Sequence, residues 1–529
     1  MQTQLTIPLF LTALLGASVN ACLPSHRARH ETDASHTETQ LKLLEARSQS
    51  VSTQSTGKTA LTNVRILDGW RIGEPTNVII DGDSITFDAS NVRSTIDGEG
   101  GVLLPGLIDS HIHVNRLASL ETLTSYGVTT AMNMGCDNYT LCSALHDQPG
   151  LTTLFNAGQA AAAPNSTHAT VFGAHGYVNS TSQAPEFVAN VFRNGSDYMK
   201  LISEPNGFSQ AIHDALVNAT HALGRVAMTH AQDYGSYEVA IRSQTDGLQH
   251  VPFDIPLTQE MARRIRRQVQ YVTPTLNIAK LVTANRTIES IISPGVSLTY
   301  EAGIISVQRL LCAGVPILAG TDANDLADTF LHGDLIGITL YKKLQLLTAA
   351  GMSEVDVIRS ATVIPSIWHN LTRRGSIEEG YRAELLLLKP GSDPLQSISQ
   401  TMDIARIEVT TKAKPVAPEA ADMTTEERLA SMREFAEEQK YIQPGGGEII
   451  PASSSTSDGG FNSVVFGNPE QGGAFSLKVA PAYQGHLAPS TWTPPEKERR
   501  SSSSPLKHWA EKRHAKKEEA NAQKGEGGE

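Results

Sequence analysis

The sequence predicts an α/β protein: a (β/α)8 TIM barrel with a small β-sandwich subdomain formed from both flanks. Three observations predict it. Between residues 107 and 322 eight short apolar runs recur, separated by stretches that read as helices. Shorter segments of β character, 60–87 and 375–388, lie on either side of that region and are broken by Gly and Asp turn signals. At 529 residues the chain exceeds one usual domain, which leaves room for a large catalytic body with smaller attached parts.

Taken in order, residues 1–21 read as a signal peptide. The apolar run Leu5–Val19 is too short to cross a bilayer comfortably and ends in the small-residue pattern Val19-Asn20-Ala21. Residues 22–58 form a polar leader without apolar periodicity. Residues 59–103 supply the first half of the β subdomain through Ala60–Leu67, Val78–Ile80 and Ser84–Phe87. The barrel takes 104–374, with strands expected at Leu107–Val114, Val128–Met132, Thr152–Phe155, Tyr198–Ile202, Val226–His230, Gly247–Val251, Tyr271–Thr275 and Pro316–Asp322. Residues 375–413 return to the β subdomain through the apolar run ending at Leu388. From 414 to 529 the composition turns to Glu, Lys, Ser, Gly and Pro and reads as a mostly disordered tail, with a short amphipathic helix possible at 424–439.

A net charge of −12 and the lack of a basic stripe exclude nucleic acid as a partner, because phosphate binding needs clustered Lys and Arg. No other run is long and apolar enough to span a membrane. Seven Asn-x-Ser/Thr sequons, at Asn138, Asn165, Asn179, Asn194, Asn218, Asn285 and Asn370, agree with a secreted glycoprotein. Cys136 and Cys142 are close enough in sequence to close a small disulfide loop in an oxidising compartment.

The chemistry starts at Leu103-Leu-Pro-Gly-Leu-Ile-Asp-Ser-His-Ile-His113. His111 and His113 stand two apart on an expected strand and project from one face, where two imidazoles can hold one metal. Alone, such a pair is weak evidence, because two histidines on a strand are more often surface or hydrogen-bonded residues. Lys200, His230, His250 and Asp322 sit on or at the ends of the fourth, fifth, sixth and eighth expected strands, and in a barrel those ends meet at one mouth. Four imidazoles and a carboxylate suit Zn2+ better than Ca2+ or Mg2+. A protonated Lys200 would repel a dication, whereas a neutral amine can take up CO2 as an anionic carbamate; seen by itself, Lys200 is a snorkelling or ion-paired lysine.

These residues, with Gly127-Val-Thr-Thr130, Gly247-Leu-Gln-His250 and Gly320-Thr-Asp322, resemble the amidohydrolase superfamily over about 60–412, specifically its imidazolonepropionase-like and Xaa-Pro-dipeptidase-like branch, with ochratoxin-cleaving amidases among its members. The resemblance implies that His111 and His113 bind a buried metal, His230 and His250 a more exposed one, and carbamylated Lys200 bridges the two divalent ions, with zinc the default. It implies that Asp322 binds metal and serves as the catalytic base for a bridging hydroxide that cleaves an amide or peptide bond. The substrate would be a small molecule or dipeptide, and homo-oligomers occur in this branch. The family's usual Ala-Asp-Leu stands here as Ala383-Glu-Leu385, and the return strand is blurred around Val409–Ala413. The loop Ser166-Thr-His168 matches a position lining the family's pocket, with His175 and Tyr177 close by; His146, His213, His221 and His369 read as structural.

Two other readings stay open: a mononuclear deaminase or cyclic amide/amidine hydrolase of the same fold, which needs no bridging Lys200, and a non-catalytic scaffold that has kept the fold.

Overall fold

The computed structural model describes residues 30–50, 57–172, 176–324 and 336–409, together with three short strands between 450 and 479. The expected signal peptide and the helix at 424–439 lie outside these residues. The first described element is a helix, α1 (His30–Ser50), within what the composition marked as a polar leader. Its Leu44 is buried in the main apolar core, so one inward side chain per few turns suffices where neighbouring hydrogen bonds assist.

Both flanks build one mixed sheet. From the N-terminal side come β1 (Lys58–Leu67), β2 (Ile72–Asp81), β3 (Ser84–Thr86), β4 (Val92–Asp97) and β5 (Val102–Pro105). Where a sandwich was expected, the described flank strands form a single hydrogen-bonded sheet of seven, in which β1 pairs with β2, β4 and β5.

The parallel strands follow: β6 (Leu107–His113), β7 (Val128–Asn133), β8 (Thr153–Asn156), β9 (Ala161–Ala162), β10 (Gly176–Tyr177), β11 (Met199–Ile202), β12 (Ala227–His230), β13 (Gly247–Gln249), β14 (Tyr271–Thr273) and β15 (Ala323–Asn324). One sheet runs β15-β6-β7-β8 and another β10-β9-β11-β12-β13-β14. A bridge between Val272 and Ile317 joins β14 to the segment leading into β15, and the Asp197 N–H donates to the Asn156 carbonyl across the β8–β11 side. The eighth expected strand, 316–322, is thus reduced to that bridge, and regular pairing starts only at Ala323. All seven residues of β6 are buried, as a parallel strand covered on both faces requires.

Helices α2 (Leu117–Ser125), α3 (Tyr139–Leu145), α4 (Ala184–Arg193), α5 (Gln210–Ala222), α6 (Tyr234–Arg242), α7 (Gln259–Arg267), α8 (Leu276–Ala284), α9 (Arg286–Ile292), α10 (Tyr300–Cys312), α11 (Ile338–Ala349), α12 (Glu354–Ser360) and α13 (Val363–Trp368) fill the connections. Their starts are written in side chains: Asn138, Ser209, Asp233, Thr258, Asn285, Thr299 and Ser353 each accept a backbone N–H of the following turn. The disulfide Cys136–Cys142 closes the loop into α3.

The chain then returns to the flank sheet through β16 (Leu385–Leu388), antiparallel to β5, and β17 (Ile404–Glu408). The return strand therefore lies just before Val409 rather than around 409–413. Glu384, where the family has Asp, is bound by Arg382 at 2.7 Å and Arg374 at 3.3 Å. A separate unit beginning at Gly447 contains β18 (Ile450–Pro451), β19 (Asn462–Phe466) and β20 (Phe475–Val479), paired antiparallel, within the region read from sequence as a tail.

Candidate metal centre

Period-two geometry puts His111 and His113 on one face of β6. Pairing then brings the other residues to them. Asn324 lies opposite His113 in the β15–β6 register, which carries Asp322 beside β6; Ile202 lies opposite His230, two residues from Lys200; and His230 lies opposite Gln249, next to His250. Gly320 is required by the close approach of the two chains, since a Cβ there would stand 2.4 Å from Thr273 Cγ2 and 2.9 Å from His111 Cβ. His250 and Asp322 both hold left-handed backbone, at φ 69° and 62°, a conformation that costs a non-glycine residue about 1–3 kcal/mol and gathers at functional sites.

The side chains converge. Asp322 Oδ1 lies 3.3 Å from Nε2 of both His111 and His113, and its Oδ2 lies 3.9 Å from His250 Nδ1. Ligand atoms of His111, His250 and Asp322 all fall within 4.8 Å of one another. The His230 ring stands edge-on to His250 at 4.5 Å, and His111 is 4.9 Å from His250. Lys200 is buried, and its charge depresses the basicity of all four imidazoles.

Electrostatics suit a cation. Burial, followed by neighbouring charges, holds His111 at about 4 and pushes His230 and His250 well below the usual imidazole range, so the rings are neutral donors. Burial by itself would raise the Asp322 carboxyl, but the surrounding imidazoles outweigh it and hold the group ionised.

Donor chemistry fits a first-row dication. His111 Nδ1 is 2.8 Å from Gln249 Oε1 and His250 Nδ1 is 2.6 Å from Thr275 Oγ1, the outer hydrogen bonds that orient metal-binding imidazoles. His113 Nδ1, His230 Nε2 and His250 Nε2 are buried with no hydrogen-bond partner among the described residues. Buried polar atoms are nearly always paired, so these nitrogens ask for an electrophile.

Five of the six residues singled out from the sequence are thus in mutual contact, and the sixth, Lys200, is buried near enough for its charge to act on the four imidazoles. Four others went unnoticed. Gln249 and Thr275 orient imidazoles; Asp109 accepts the N–H groups of His111 and Thr321 and the Thr321 hydroxyl, tying β6 to the chain before Asp322. Glu204 bonds His168. Asp109, two before His111 on the same strand face, was the one with a visible signal; the rest meet their partners only across strands. His168 is buried, Tyr177 is exposed, and His175 lies outside the described residues. His213, His221 and His146 have local partners in Ser243, Asp246 and Asp197, as structural residues do.

The profile of the Amidohydrolase family matches residues 102–418. An uncharacterized protein of Mycobacterium tuberculosis is 25% identical over 296 residues, covering 50% of this chain and 77% of its own length. Among solved structures, a Xaa-Pro dipeptidase with bound methionine in its active site is similar at TM-score 0.56 and 19% identity, covering 66% of this chain and 98% of that one. The ochratoxinase of A. niger is similar at TM-score 0.54 and 15% identity, covering 67% of this chain and 95% of its own. At such identities the structural likenesses speak for the fold, whereas the profile match spans more than half of the sequence. The chain belongs to the amidohydrolase family.

Proposed function

We propose that this protein is a secreted hydrolase that cleaves an amide or peptide bond of a small molecule or dipeptide, using two divalent metal ions, zinc by preference, on a (β/α)8 barrel. His111 and His113 would hold one ion and His230 and His250 the other, with Lys200 as a carbamate between them and Asp322 as a further ligand. When bound, such ions polarise the scissile carbonyl and lower the pKa of water. The chain's own residues do the rest. Lys200 would go from repelling cation to anionic ligand by first losing a proton from its ammonium and then adding the neutral amine nitrogen to CO2 with loss of a second proton. Asp322, held ionised among imidazoles, accepts a proton from water through its carboxylate and hands it to the leaving amine.

The observation that supports this reading is Asp322 in contact with buried imidazoles whose basicity the buried Lys200 also lowers. Metal analysis after refolding with zinc and bicarbonate, followed by assays on X-Pro dipeptides, dipeptides ending in an aromatic residue and N-acyl amino acids, tests it. Two ions per chain and turnover of at least one substrate class are expected; a metal-free, inactive protein would refute the proposal.

A mononuclear hydrolase or deaminase is favoured by one fact, that among the described residues one three-donor group, His111, His250 and Asp322, has its ligand atoms within 4.8 Å of one another. One zinc per chain, unchanged in Lys200→Ala, would select it.

A further inference from the structure

Next to the converging residues lies a narrow cleft that His250 and Asp322 border on one side and apolar side chains on the others. Phe253, Ile278, Ala279, Val282, Ile292 and Leu298 form its walls, and all six are buried. Helix α8 starts directly after Thr275, the residue that bonds His250 Nδ1, so one stretch of chain sets both the imidazole and the wall. Ile278 and Val282 stand four apart on α8 and therefore share a helix face. Polar ties hold the wall in place. Glu289 accepts the Leu298 N–H at 2.6 Å, the Thr299 N–H donates to the Phe253 carbonyl, and Asn277 donates to the Thr339 carbonyl at 2.9 Å. Gln232 and Thr283 also line the cleft, but they spend donors on Ser293 Oγ and the Ala279 carbonyl, each at 2.8 Å. Among the described residues that line it, the one carboxylate is that of Asp322, and there is no Lys or Arg.

We propose that this cleft is the specificity pocket for the amine half of the substrate and takes a slender apolar group, a straight alkyl chain or a flat aromatic ring, with Ala279 and Val282 as specificity-determining residues. The inference rests on the amide-hydrolase reading above. In that reading Asp322 hands a proton to the leaving nitrogen, so the group carried by that nitrogen lies on the Asp322 side, where the cleft begins. Apolar walls reward the burial of alkyl or ring carbons, whereas an amide or carboxylate end would lose its water without gaining a hydrogen bond. The walls stand close together, which favours a chain or a flat ring over a branched group.

The test uses the full-length zinc-loaded protein and N-acetyl amino acids that differ in the leaving residue. kcat/KM is expected to be about 100-fold higher for N-acetylnorleucine and N-acetylphenylalanine than for N-acetylglutamine and N-acetylglutamate. Ala279→Leu, which fills the cleft, should lower the norleucine-to-glycine ratio of kcat/KM by about ten-fold. Val282→Thr, nearly isosteric and the safeguard should the first variant fold poorly, should lower the norleucine-to-glutamine ratio by about five-fold. Equal rates across the series, or ratios unchanged in both variants, would overturn the proposal. Calorimetric titration with free norleucine and free glutamate separates it from the underlying reading. A wild-type protein without turnover refutes the hydrolase. The cleft is then upheld by norleucine binding about ten-fold tighter than glutamate, a margin lost in Ala279→Leu, and overturned by equal binding.

Discussion

Asp322 has the largest expected effect of any single residue. Asp322→Asn keeps the shape but removes the charge that His111, His113 and His250 face, so zinc content should fall and turnover should drop below detection, as read by metal analysis and the substrate panel. Gly320→Ala is a subtler test. Its methyl would stand 2.4 Å from Thr273 Cγ2 and 2.9 Å from His111 Cβ, and the resulting shift must separate β6 from the chain that carries Asp322. Lower zinc affinity together with a lower melting temperature is expected. The residue types at this centre were legible because ligands are chemically distinctive and His111 and His113 share a strand face. Gln249, Thr275 and Glu204 were not, because amides, hydroxyls and carboxylates are common and gain meaning only from the ring they touch.

Helix α1 shows where composition misleads about an element. Its Gln40 side chain accepts the buried Leu117 N–H at 2.9 Å, His36 bonds the Asn115 carbonyl, and Leu44 enters the core, so it clasps the chain just after His113. Leu44→Ala should cost about 2–4 kcal/mol, and Gln40→Ala about 1–3 kcal/mol through an unsatisfied N–H, both measured by denaturant melts. The same clasp bears on modification. Asn138 spends its amide on Leu141 N and on the Thr37 hydroxyl, whereas the other six sequon asparagines are exposed. Peptide mapping of protein secreted from a glycosylating host should find Asn138 bare even where the others carry sugar. The β16–β17 return was blurred in sequence for a related reason: β17 is half-exposed and edge-like, so little apolar patterning marks it.

For the molecule as a whole, buried neutral histidines away from the centre add to the acid sensitivity of the central ones. Burial holds His213 at about 4 and His369 at about 3, below the ordinary value near 6.5. The unfolded chain therefore binds protons that the folded one refuses, so their contribution is full above about pH 6.5 and is lost as pH falls toward the folded values. About 2 kcal/mol per histidine should disappear between roughly pH 6.5 and pH 5. His369→Phe, which keeps a ring against Tyr271, should flatten that slope in melts of metal-free protein; an unaltered slope would refute the assignment.

By itself the sequence determined the family, the alternation of strand and helix, and the identity of the six converging residues, because apolar periodicity and ligand chemistry are written locally along the chain. Only the tertiary structure decided that the flanks make one sheet, that α1 docks, and that Glu204 stands behind His168. Those outcomes depend on hydrogen bonds between residues tens to hundreds of positions apart, which no local pattern encodes.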